Sequence, residues 1–120
     1  MKKSIIFSLM LFVFAGICFA KTKPVTVKGY LLDNVCIRVN KANLPACAPT
    51  YKKECALDPA CSISGYAVYT DSGTLIPLTK TSNARALTFL TKPSSTLKVT
   101  ITGNMSGKYI EILSIQNQLP

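Results

Sequence analysis

Apolar and polar residues alternate along most of this chain and switch to a helical period once. In VTVKGYLLD, Val25, Val27, Gly29 and Leu31 alternate against Thr26, Lys28 and Tyr30, which predicts a first strand. SISGYAVYT predicts a second, with Gly65 marking a bend or a close backbone approach. Asp71-Ser72-Gly73 is a turn signal, with Gly73 able to take a positive φ. TLIPL predicts a third strand, placed at an edge or bulged because Pro77 cannot donate a ladder hydrogen bond. TSNARALTFL then reads as helix, capped by Ser82 or Asn83, with Ala84, Leu87 and Leu90 near one face. Lys92-Pro93 ends it, since a proline disfavours helix at the residue before it. TLKVTITG alternates Leu97, Val99 and Ile101 against Lys98, Thr100 and Thr102, and a GNMSG loop leads into KYIEILSIQ. There Ile110 and Ile112 share one face and Leu113 and Ile115 the other, which predicts either two-sided burial or a bulge near Leu113.

Residues 34–61 break the pattern. They show no clear periodicity and hold Cys36, Cys47, Cys55 and Cys61 with Pro45, Pro49 and Pro59. Asp58 before Pro59 reads as an N-cap followed by a first helical position, so one short helical turn is expected there. The order is strand, long cysteine-bearing connection, strand, strand, helix, strand, strand. That predicts a mainly β fold: a five-stranded OB-type barrel with one helix between strands 3 and 4. A split sheet packed on one helix is the alternative.

The N-terminal residues change the compartment. Lys2 and Lys3 precede an apolar run from Ile5 to Phe19, and Cys18-Phe19-Ala20 supplies a small-residue cleavage site. Residues 1–20 therefore read as a secretory signal peptide, and residues 21–120 as a single OB-like domain. Ile17 before Cys18 makes a poor lipidation site. No second long apolar run follows, so no transmembrane segment is expected after signal removal, and a periplasmic or secreted location is expected. Without Lys2 and Lys3, 12 basic residues face 5 acidic ones, a net charge of +7. Such a surface suits an acidic partner, while export makes nucleic acid an unlikely one. The lysines are scattered, with only Lys52-Lys53 adjacent, which favours a solubilising surface over a binding patch.

Four cysteines in a small exported domain favour a disulfide framework stapling the connection between strands 1 and 2. Each bridge would add about 2–4 kcal/mol by restricting the unfolded chain. Three pairings are open. Antiparallel pairing of the first two strands would bring Cys36 towards Cys61, which favours Cys36–Cys61 with Cys47–Cys55. Metal binding is the competing use. The cysteine spacings lack the close pairs of structural zinc sites, and the chain has no histidine. No cofactor and no metal are expected, and no C-x-x-C redox motif is present.

GYLLDNVC, CALDPACSISGYAVYT and LKVTITGNMSGKYIEILSI together resemble a family of small exported bacterial proteins of unknown function. That family shows a G-Y-x-x-D-x-x-C start, a C-A-x-x-P-A-C-x-x-S-G-Y centre and a V-T-V-T-G segment. The resemblance spans nearly all of residues 21–120 and implies a compartment and an OB-like architecture rather than a reaction. Many members of this pattern carry a His before the central Cys and a Met inside the central motif. Here Tyr51 and Asp58 occupy the nearby positions, so the strongest ligands of such a cluster are missing, and copper or zinc handling by the cysteine cluster stays the secondary functional expectation. Cys47 departs from the pattern and makes the cysteine count even.

Without His, Ser–His and Cys–His nucleophile pairs are impossible. The carboxylates Asp33, Glu54, Asp58, Asp71 and Glu111 are isolated in sequence, and Asp33 is expected to order the turn before Cys36 through an Asx-type bond. No phosphate-binding glycine motif is present. The expected role is a non-enzymatic binding or interaction module of unknown ligand. OB barrels bind ligands with strand aromatics and nearby lysines, which nominates Tyr30, Tyr51, Lys52, Lys53, Tyr66 and Tyr69.

Overall fold

A computed structural model describes residues 23–119. The signal-peptide reading of residues 1–20, with Cys18, lies outside the described residues.

Strand β1 runs Val25–Asp33, β2 Tyr66–Thr70, β3 Leu75–Pro77, β4 Lys98–Ser106 and β5 Tyr109–Asn117. They form one antiparallel sheet in the order β3-β2-β1-β4-β5. β1 is central, pairing Gly29 with Thr70 on one side and with Val99 on the other. Gly29 is needed there, because a Cβ would collide with the Tyr69 carbonyl oxygen. Pro77 sits on an edge strand, as a residue without a donor must.

The sheet does not close into a barrel. β3 has three residues and ends at Pro77, so it offers β5 little to pair with. The two edges meet at one isolated parallel bridge, Leu78 to Ile110, where the Thr79 N–H donates to the Ile110 carbonyl. Helix α5, Lys80–Leu90, covers the gap instead. Its N-cap is Thr79, whose hydroxyl accepts from the Ser82 N–H, rather than Ser82 or Asn83. Ser82 is fully buried: its hydroxyl accepts from the Ile112 N–H and donates to Glu111 Oε2 at 2.8 Å. Asn83 accepts from the Tyr66 N–H. The buried face is therefore Ser82, Ala86, Phe89 and Leu90, with Ala84 exposed.

The expectation of a single helix also fails. The connection from β1 to β2 is a chain of short helical turns: α1 (Asn34–Val39), α2 (Leu44–Cys47), α3 (Lys53–Leu57) and α4 (Pro59–Ser62). Two 3₁₀ turns, Lys41–Asn43 and Ala48–Thr50, join them. Asp33 caps α1 by accepting from the Cys36 N–H at 2.8 Å, the Asx-type bond its position predicts. Asp58 caps α4 ahead of Pro59, accepting from the Ala60 N–H.

The main core lies on one face of the sheet, where Leu31, Tyr66, Val68, Val99, Ile101, Ile110 and Ile112 meet Ala86, Phe89 and Leu90. Each fully buried Leu or Ile contributes about 1.5–3 kcal/mol relative to exposure. A second, smaller core forms on the other face, where Leu32 packs under Leu44 and Ala48 of the connection. That packing explains three consecutive buried residues, Leu31, Leu32 and Asp33, at the end of a strand. The expected GNMSG loop is largely strand: β4 continues to Ser106, and the hairpin turns at Gly107-Lys108. The bulge expected near Leu113 is present. Thr102 pairs with Ser114 and Gly103 with Ile112, leaving Leu113 as the extra, half-exposed residue.

Candidate functional site

Strand alternation places Tyr30 and Tyr69 on the face opposite the main core, and the register makes them direct cross-strand partners. Both are half-buried against the small core of Leu32, Leu44 and Ala48. Pro45, at the start of α2, lines with them and with Thr70, Asp71 and Gly73 an open concavity of about 360 Å³. The Lys98 ammonium lies 5.6 Å from the Tyr30 ring centroid, within cation–π range. A neighbouring concavity of about 410 Å³ shares Thr70 and Asp71 and extends to Lys28, Thr74 and Ile76. The two concavities adjoin at Thr70 and Asp71, where β2 turns into β3 beside β1.

The other nominated residues line neither concavity. Tyr66 is fully buried in the main core, and its hydroxyl donates to the Ala56 carbonyl at 2.7 Å. Burial pushes its phenol up to about 12. It lies two residues from Val68, and therefore on the core face of β2, whereas Tyr69 is on the other. Tyr51 is half-buried and donates to Asp33 Oδ2. Burial, then the Asp33 carboxylate, raises its phenol well above the ordinary range. The Lys53 ammonium donates to the carbonyls of Lys92 and Ser95 after α5, at 3.1 and 2.8 Å, so it fastens α3 to that loop. Lys52 is exposed and remains open to a partner.

The disulfide expectation is corrected. Cys36, Cys47, Cys55 and Cys61 are all free thiols, and neither Cys36–Cys61 nor Cys47–Cys55 is bonded. Because the connection coils into successive turns, Cys36 on α1 lies near Cys47 of α2, and its sulfur accepts from Asn40 Nδ2. Cys61 on α4 faces Asp33, with Cys55 of α3 near it. Burial, then the neighbouring Cys47, raises the Cys36 thiol to about 11, and burial, then Asp33, raises Cys61. A raised thiol pKa lowers nucleophilicity, because the thiolate is the reactive form. Among the described residues, no three His, Cys, Asp or Glu side chains lie close enough to hold a metal ion. The connection is held by non-covalent means: Asp33, Tyr51, Lys53 and the Leu32–Leu44–Ala48 core.

Pro45 in the cleft lining and Lys98 over the Tyr30 ring were not legible in sequence, because each comes to Tyr30 from a different element. No helix among the described residues is long and apolar enough to cross a membrane. Comparison with protein-family models, curated proteins and solved structures finds no match for the chain.

Proposed function

We propose that this protein is an exported, non-enzymatic binding module whose ligand stacks on the Tyr30–Tyr69 pair. The carrying observation is that two cross-strand tyrosines and a proline line one concavity, with a lysine over one of the rings. Half-buried rings held by a packed base lose little rotamer freedom on binding, which is what a stacking platform needs. The strand order, the helix between β3 and β4 and the parallel approach of β3 to β5 support an opened OB-type arrangement, a fold that binds extended ligands on its strand face. The ligand class is a flat, extended molecule such as an oligosaccharide, with Lys28 and Lys98 favouring acidic groups on it. Asp71 at the junction of the two concavities supplies an acceptor for hydroxyl groups.

The test is an immobilised array of neutral and acidic oligosaccharides probed with the secreted form of the protein. Binding should appear for acidic members, survive Ser72→Ala and fall at least about fivefold for Tyr30→Ala or Tyr69→Ala. Binding that is indifferent to both tyrosines contradicts the reading.

A further inference from the structure

We propose that the distal half of β5 is a docking edge for an extended acidic peptide, which would add to the sheet as a strand beside α5. The inference stands apart from the tyrosine cleft, since β5 is the edge strand at the far side of the sheet. It comes from accounting for the outward backbone groups of β5. In an antiparallel strand these groups belong to alternate residues. Up to the bulge they are Ile110 and Ile112, and the start of α5 with its cap bonds three of their four groups. Thr79 N–H donates to the Ile110 carbonyl, the Ile112 N–H donates to Ser82 Oγ, and Arg85 Nη1 donates to the Ile112 carbonyl at 3.2 Å. Past the bulge the Gln118 N–H donates inward to the Lys98 carbonyl, so Ser114 and Gln116 also face β4. Ile115 and Asn117 then point outward, and among the described residues no bond outside the β4 ladder engages their backbone groups; β3 ends at Pro77.

Beside this open edge runs a groove of about 430 Å³ between α5 and β5. Phe89, Ile112 and Ile115 form its apolar lining, and the bulged Leu113 stands half-exposed at its wall. Unpaired edges next to apolar surface invite strand addition unless something blocks them. The charges here select rather than block. Arg85 and Lys92 line the groove and no carboxylate does. A second copy of this chain would set Arg85 and Lys92 against the same cations, so self-pairing is disfavoured. A peptide alternating apolar residues with Asp or Glu meets both the groove and its cations.

The probe is a random-peptide phage library selected on the full mature protein, with Arg85→Glu/Lys92→Glu as the counter-selected variant. Enriched peptides should alternate apolar and acidic residues, and should slow hydrogen exchange at the Ile115 and Asn117 amides. They should lose about tenfold or more in affinity on Arg85→Glu and be unaffected by Tyr30→Ala. Lys92→Glu, whose side chain makes no bond within the fold's core, gives the same readout if Arg85→Glu perturbs α5. No enrichment over the charge-reversed variant overturns the proposal, as do enriched peptides without acids. So does sedimentation showing that the protein pairs with itself through this edge.

Discussion

The Tyr51 hydroxyl donates to the carboxylate of Asp33, a residue with no exposed surface at the end of the central strand. Asp33 also accepts from the Cys36 N–H, so one buried carboxylate caps α1 and anchors the cysteine connection to the sheet. This contact holds Tyr51 away from solvent and fixes the base on which Tyr30 and Tyr69 rest.

Tyr51→Phe should therefore destabilise the fold by about 1–3 kcal/mol, the cost of leaving a buried acceptor short of a donor. Asp33→Ala should cost more, because it removes the cap of α1, worth about 1 kcal/mol, as well as the anchor. Urea unfolding monitored by tyrosine fluorescence measures both. Equal stability of Tyr51→Phe and wild type would mean that the contact does not hold the connection.

Thiol reactivity should follow burial and charge. Iodoacetamide should modify the exposed Cys55 first and the buried Cys36 last. The same physics gives a pH dependence. The folded state holds the Cys36 thiol neutral up to about 11, against 9.0 for an ordinary thiol. The stability this contributes is fully present below pH 9. It is lost as pH rises from about 9 towards 11, because the unfolded state sheds its proton first. Unfolding free energy should fall across that window, and less steeply in Cys36→Ala. Identical slopes in the two proteins would refute the assignment.

Ser82→Ala should loosen α5 from β5. It strands the buried Ile112 N–H and removes a donor to Glu111, an expected loss of about 1–3 kcal/mol. Thermal unfolding gives the size of the effect. Asn83→Ala should also destabilise, through the Tyr66 N–H it leaves unpaired.

Local chemistry was readable from the sequence; relationships between distant elements were not. The span of β1, the Asp33 and Asp58 caps, the edge position of Pro77 and the bulge at Leu113 all follow from residues within a few positions of one another. The helical turns of residues 34–62 run four to six residues each, too short to impose a 3.6-residue period. Ser82 looked like a cap because its true partners, Glu111 and Ile112, lie about thirty residues away. Tyr66 was nominated with Tyr69 although a separation of three puts them on opposite faces of a strand; the spacing to Val68 was the available signal. The cysteines suggested staples because an unstructured loop would need them, but the connection is helical and packs its own small core.

The most direct measurement of the central claim is a ¹⁵N NMR titration of the protein with the tightest-binding oligosaccharide from the array. The account predicts shifts centred on Tyr30, Tyr69, Gly73 and the residues following Pro45, abolished in Tyr30→Ala/Tyr69→Ala. Shifts centred on the α5–β5 groove, or none at saturating ligand, would contradict it.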